Sequence, residues 1–421
     1  MATASMKTQP EASTLYCRLC GSPLSEVFAD LGSTPLCESY LSAEDLAKGE
    51  PFYPLCTYVC SQCFLVQVPE IVSPHDIFSH YAYFSSYSDS WLEHAKKYVD
   101  QMVPRLGLNG DSLVIELASN DGYLLQYFVE RGIPVLGIDP AANVVEAAAR
   151  KGVPTKVAFF GQEIARELAA EGKQADLLLG NNVLAHVPDL NGFIEGMKIV
   201  LKPQGVITME FPHLMRLVEG RQFDTIYHEH FSYLSLTAVR TAFSAHELTV
   251  FDVEELPTHG GSLRIFAGHA RQRSQSVSER VIELLAREEE AGIRSPAYYA
   301  AFAAEVGETK RALLECLIGI KRAGKTIAAY GAAGKGNTLL NYCGVRTDFI
   351  DYVADRSAFK HGKYLPGTRI PIVPPERIRE TKPDYVLILP WNLQREITEQ
   401  LAYIRDWGGR FIVPIPTPQV L

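Results

Sequence analysis

The sequence predicts an α/β protein: two doubly wound units in one chain, preceded by a cysteine-rich lobe. Three observations predict it. Six of the eight cysteines lie within the first 63 residues, apolar strands alternate with helices from Ser112 to about Val253, and the alternation restarts near Lys325. At 421 residues the chain is too long for one ordinary core and calls for two or three domains. The expected boundaries are 15–75, 76–255 and 256–421.

In the first of these, Cys17-Arg18-Leu19-Cys20 and Cys60-Ser61-Gln62-Cys63 are two CxxC knuckles, each turning two thiolates toward one point. Four such sulfurs make a closed tetrahedral zinc site that folds a lobe and leaves no coordination position for catalysis. Thirty-nine residues separate the knuckles, more than the usual finger spacing. Cys37 and Cys56 are left over, with Cys56 a rival for one ligand position. Met1 to Thr14 are small and polar and lack the apolar core of a signal peptide, so a cytoplasmic location is expected. No apolar run of about 18 residues suggests a membrane span. The formal net charge of −9 argues against nucleic acid or an anionic membrane as partner, and leaves room for a local phosphate pocket.

The alternating blocks are read from their apolar runs. Phe64 to Pro69 is a short strand, and Trp91 to Leu106 is an amphipathic helix ended by Gly107. Leu113–Leu117, Val135–Ile138, Asp176–Gly180 and Gly205–Glu210 are strands, with helices over Tyr123–Arg131 and Ala141–Lys151. A helical region from Val277 to Arg322 is interrupted at Ser295-Pro296. Beyond it come strands at Thr326–Tyr330, Phe349–Val353, Tyr385–Leu389 and Phe411–Pro414. Mostly apolar strands between helices indicate parallel sheets covered on both faces, whose ligands bind at the carboxyl ends of the strands.

Tyr227-His228-Glu229-His230-Phe231-Ser232-Tyr233 packs two imidazoles, a carboxylate and two phenols into seven positions between apolar runs. Buried titratable groups at that density are paired or used, which makes the segment the candidate active site. Its histidines are two apart, not four apart on one helical face as in a zinc-protease helix. In an extended segment His228 and His230 share a face and Glu229 points with Tyr227, so spacing does not choose the base.

Two turns are candidate ligand sites. Glu116 ends a strand and is followed by Ala118, Ser119, Asn120, Asp121 and Gly122, without the G-x-G-x-x-G of a dinucleotide turn; Asp139 ends the next strand, where it can hold ribose hydroxyls. In the second block, Tyr330 to Asn337 (YGAAGKGN) follows a strand and opens a helix. An amide-rich helix start with Lys335 suits a phosphate, and Asp355 stands like a ribose-binding acid. The loop lacks the spacing of a Walker A sequence.

Taken in order, CRLCG, CSQCFLVQ, HYAYFSSYS, IELASNDG, NNVLAHVPD, YHEHFSYLS, GGSLRI and YGAAGKGNTLLNYCG resemble the sugar C-methyltransferase family over about Cys17 to Pro414. The resemblance implies a zinc-binding N-terminal lobe, a central class I methyltransferase domain of Rossmann-like fold using S-adenosylmethionine, and a second Rossmann-like domain that helps bind a nucleotide sugar. It implies methylation of a ring carbon beside a ketone, usually C3 of a nucleotide-linked 4-keto-6-deoxy sugar and C5 in some relatives. By the same resemblance, Tyr81, His186, Tyr227, Glu229 and His230 surround the sugar, with His230 as base. For the cofactor, Glu116, Ala118, Asn120, Gly122 and Asp139 are joined by Ser86 and Asn182 at its amino-acid end and by Phe160 or Phe159 beside adenine. Tyr330, Gly334, Lys335, Asn337 and Asp355 are the expected nucleotide-sugar contacts; a monomer or weak oligomer is expected. Competing functions are a nicotinamide-dependent sugar oxidoreductase built on the C-terminal unit and a non-catalytic zinc-containing binding protein. The Tyr227–His230 cluster argues against the latter.

Overall fold

A computed structural model describes residues 14–78, 84–271 and 276–421, so Tyr81 lies outside the described residues. The N-terminal lobe is an antiparallel sheet in the order β1-β2-β3-β9, comprising β1 (Glu26–Thr34), β2 (Tyr53–Val59), β3 (Val66–Gln67) and β9 (Ser232–Tyr233). Leu55, Thr57 and Val59 alternate inward along β2, the period of a strand with one covered face. The fourth strand arrives from far along the chain: Val66 pairs with Tyr233 and Gln67 with Ser232. The segment carrying the two histidines is thereby stretched between the central unit and this lobe.

The central sheet runs β10-β11-β8-β7-β4-β5-β6. Five strands are parallel, namely β4 (Val114–Leu117), β5 (Val135–Asp139), β6 (Thr155–Val157), β7 (Ala175–Asn181) and β8 (Leu201–Pro212). A hairpin of β10 (Leu248–Leu256) and β11 (Ser262–His269) closes one edge antiparallel. The boundary expected at residue 255 therefore falls inside this hairpin. β11 belongs to the central sheet because it pairs with β8 over Ser262–Ala267 and buries Leu263, Ile265 and Ala267 in the central core. The helix expected over Tyr123–Arg131 is regular only over Gln126–Val129, since Asn120 (φ 49°) and Gly122 (φ 74°) are left-handed and hold the preceding residues in turns.

The C-terminal sheet runs β14-β13-β12-β15-β16-β17, with β12 (Ile327–Tyr330), β13 (Val353–Ala354), β14 (Ile372–Val373), β15 (Tyr385–Ile388) and β16 (Arg410–Val413) parallel and β17 (Gln419–Val420) antiparallel at the edge. The strand expected over Phe349–Val353 shrinks to β13 because Phe349 and Ile350 close a turn onto the Arg346 carbonyl, both at 3.0 Å. The helical region breaks at Ser295, giving helices Glu279–Ala291 and Pro296–Arg322, with Pro296 at the first turn where its missing N–H costs nothing. The second helix presents Tyr299 and Phe302 to Phe28 of the N-terminal lobe, the Phe28 and Phe302 rings stacking at 4.5 Å. That contact joins the lobe to the C-terminal unit.

Candidate active site

A cavity of about 710 Å³ opens at the carboxyl ends of the central strands and is walled by all three units. On the central side Asp139, at the end of β5, accepts from the backbone N–H of Asn120 and of Ala141, both at 2.9 Å, which ties the turn after β4 to the next strand. Burial raises the Asp139 carboxyl above its usual range. Glu116 is fully buried behind the turn, its carboxyl pushed well up by burial and facing the Tyr123 hydroxyl. Ala118 (φ 55°), Asn120 (φ 49°) and Asn182 (φ 55°), all on the cavity wall, hold left-handed backbone. Glu116, expected among the cofactor contacts, does not line the cavity; Ile138 and Phe160 as apolar walls and the Asp139 acid at the strand end fit a nucleoside.

Not every expected cofactor residue is on the wall. Ser86 turns its hydroxyl to the Asp121 carboxylate, and it is Ser85, donating its N–H to Asn120 Oδ1 at 3.0 Å, that lines the cavity. Gly122 is a packing position: a Cβ there would come within 3.1 Å of Val153 and 3.3 Å of Ala148.

The Tyr227–His230 segment is a turn, not a strand. Tyr227, Glu229 and His230 all reach the cavity, while His228 points away and bonds the Pro54 carbonyl of the N-terminal lobe at 3.0 Å. An extended segment would have put the two histidines on one face; the chain instead turns between them. His230 Nδ1 bonds the Thr225 carbonyl at 2.9 Å; it must therefore carry the hydrogen, leaving the lone pair on Nε2. The Tyr227 ring lies 4.0 Å from the His230 ring and the His186 ring 4.6 Å from it, fixing the imidazole on two sides. Burial holds His230 well below the usual histidine range, with His186 adding to the effect, and burial brings His186 down to about 4. Both rings are neutral at neutral pH. Glu229 is shifted the other way, pushed up to about 8 by burial and by Glu38, and it accepts from Cys37 Sγ at 3.1 Å.

Gly334 and Lys335 of the C-terminal turn complete the wall, at the start of helix Gly334–Cys343. Lys335 Nζ donates to Asn392 Oδ1 at 2.9 Å and lies 4.8 Å over the Trp391 ring. Trp391 in turn donates to Asp224 Oδ2 at 2.7 Å, and burial lifts Asp224 to about 6 while Lys335 opposes the shift. Tyr330, Asn337 and Asp355 do not line the cavity. Tyr330 bonds Gln400, Asn337 is buried inside its helix, and Asp355 accepts from the N–H of Ala332 and of Ser357, both at 2.7 Å. Asp355 thus braces its turn as Asp139 braces the turn of the central unit.

The four knuckle cysteines converge. Their Sγ atoms lie within 4.8 Å of one another, with Cys17 to Cys63 at 3.5 Å and Cys20 to Cys60 at 3.4 Å. These are distances far beyond a disulfide bond and near the edge of a zinc–thiolate tetrahedron. Gln67 Nε2 and the Gln62 N–H donate to Cys17 and Cys60 sulfurs at 3.2 and 3.4 Å, partners that favour thiolates. Cys56 is not in the cluster; it faces Asp30 in the β1–β2 ladder.

Cys37, Glu38, Ser85, Trp91, His259 and Asn392 were missed by the sequence reading. A single residue, whether on a loop or at a helix start like Trp91, carries no periodic or spacing signal of its own. Ser85 lay within the quoted HYAYFSSYS stretch and His259 beside the Gly260-Gly261 pair.

Fold and site together define an S-adenosylmethionine-dependent methyltransferase with a structural zinc lobe. Family models match the chain in three pieces: "Putative zinc binding domain" over residues 17–78, "Methyltransferase domain" over 91–253 and "C-methyltransferase C-terminal domain" over 257–416. The chain is 40% identical over 405 residues to C-methyltransferase NovU of Streptomyces niveus, covering 96% of each protein. A ubiquinone biosynthesis O-methyltransferase of Bartonella bacilliformis is 28% identical over 95 residues, covering 22% of this chain and 38% of that protein. Among solved structures, magnesium protoporphyrin IX methyltransferase (ChlM) of Synechocystis with bound SAM aligns with a TM-score of 0.32 at 16% identity, over 43% of this chain and 82% of that one. The chain belongs to the C-methyltransferase family. No helix among the described residues is long and apolar enough to cross a membrane.

Proposed function

We propose that the enzyme methylates the carbon next to the ketone of a nucleotide-linked 4-keto-6-deoxy sugar, C3 being the expected position, through an enolate formed by a base. The observation that carries this is one continuous cavity walled by Asp139 and its turn, by His230 with Glu229, and by Lys335. Adenosylmethionine supplies an electrophilic methyl group, so the chain has to form the carbon nucleophile, align it and exclude water.

His230, with Nδ1 committed to Thr225, presents Nε2 to take the proton α to the ketone. A buried imidazole of depressed pKa is a weak base, so the enolate oxygen needs strong donors. Glu229, a carboxylic acid below about pH 8 that lines the same cavity, can donate one such hydrogen bond. Each donor aimed at a developing oxyanion contributes about 3 kcal/mol. Tyr227 and His186 keep the base in place. Gly334 and Lys335, at a helix N-terminus, face the diphosphate.

The test is a panel of nucleotide-linked 4-keto sugars incubated in deuterated water without and then with adenosylmethionine. Expected are deuterium wash-in at the α carbon in the first case and a C-methyl product by NMR in the second. Neither exchange nor methylation with any member would sink the substrate class.

A further inference from the structure

His259 is absent from the roles above, yet its ring lines the cavity. It sits in the hairpin turn between β10 and β11 with φ 54° and ψ 23°, a left-handed conformation that is unfavourable for a non-glycine residue and survives only where the surroundings enforce it. Here they do. Thr258 Oγ1 donates to Glu210 Oε1 at 3.0 Å, Gln222 Nε2 donates to the Gly260 carbonyl at 2.8 Å, and the His213 N–H donates to the Gly261 carbonyl at 3.0 Å. A Cβ on Gly260 would meet Trp391 at 2.7 Å and one on Gly261 would meet Arg216 at 2.8 Å, so the turn is clamped.

The clamped ring has one nitrogen committed. With the Asn182 amide assigned so that Nδ2 lies 3.0 Å from His259 Nε2, the amide donates, Nε2 is the acceptor and Nδ1 carries the hydrogen. Burial brings the ring down to about 4, so it is neutral and that tautomer persists at neutral pH. Nδ1 has no hydrogen-bond partner among the described residues. Trp91 packs against the ring at 5.2 Å. The location follows from the sheet order. A nucleoside whose ribose is held by Asp139 at β5 extends its 5′ substituent past the turn of β4 toward β7, two strands or about 10 Å away, where Asn182 and His259 stand.

We propose that His259 is a cofactor-binding residue, donating from Nδ1 to the carboxylate at the amino-acid end of adenosylmethionine. Calorimetry separates this from a role in the turn. Adenosylhomocysteine carries the amino-acid end and methylthioadenosine lacks it. His259→Gly, which suits the left-handed backbone, should weaken adenosylhomocysteine about tenfold, the scale of one hydrogen bond to a charged group, with methylthioadenosine within about twofold. His259→Asn, also tolerant of this backbone and able to donate, should recover part of the loss, and the thermal midpoint of the glycine variant should not fall. Unchanged adenosylhomocysteine affinity, or equal losses for both ligands, would overturn the assignment. A wild-type protein that binds neither ligand would overturn the cofactor site itself together with it.

Discussion

His228 and His230 are two positions apart and have opposite surroundings. One is tied to the Pro54 carbonyl of the N-terminal lobe, the other faces the cavity with Nδ1 on Thr225. His230→Asn should lower kcat by about 10³-fold, within the range for a lost general base, and leave adenosylhomocysteine affinity within a few-fold. His228→Asn should keep most turnover and lose stability by about 1 kcal/mol, the net worth of one buried hydrogen bond. Parallel kinetics and thermal melts check both; a larger kinetic loss at His228 would move the base. The pH profile follows from the shifts. His230 must be neutral to accept a proton and is held below the usual histidine range, so activity should rise through pH values below about 6.5. Glu229 donates only when protonated, so activity should fall through about 8. Glu229→Gln, unable to ionise, should lose the alkaline limb and keep the acid one in a kcat/KM titration. Asp139→Ala should weaken adenosylhomocysteine by about 1.5–3 kcal/mol with little change for the sugar nucleotide, measured by calorimetry.

Among the elements, the turns after β4 and after β12 share one construction: an acid at the next strand end accepts from a turn N–H and from the N–H two residues beyond itself. In the central unit the acid lines the cavity; in the C-terminal unit it does not, and Gly334 and Lys335 do. Lys335→Ala should therefore raise KM for the sugar nucleotide more than it lowers kcat, checked by initial-rate kinetics and by competition with a free nucleoside diphosphate. A loss confined to kcat would assign Lys335 to the enolate instead. Both turns were legible from small residues between an apolar run and a helix. Their use was not, because whether Asp139 or Asp355 meets a ligand depends on what packs over the turn.

At the scale of the whole molecule, the N-terminal lobe supplies part of the candidate site's wall. β9 follows directly on His230-Phe231 and pairs with β3, and Cys37 of the lobe bonds Glu229. Stripping the metal, or a Cys17→Ser change, should lower the thermal midpoint and raise KM for the sugar nucleotide, with adenosylhomocysteine binding little altered because Asp139 and its turn belong to the central sheet. Metal analysis with melts and calorimetry tests this; fewer than about 0.5 equivalents of zinc in protein purified without chelator would contradict the four-thiolate site.

By itself the sequence determined the local parts. Two CxxC knuckles, two strand–turn–helix units and a seven-residue cluster of ionisable groups follow from spacing, apolar periodicity and the cost of burying charge, all of which act within a few residues. The tertiary structure alone decided what meets what. It turned His230 rather than His228 into the cavity, put Ser85 in place of Ser86, drew β11 into the central sheet past residue 255, and brought Glu38 and His259 to the site. These are long-range outcomes, set by which strand edges pair and which loops are clamped between units, and residues 192 apart such as Cys37 and Glu229 meet only in the folded chain.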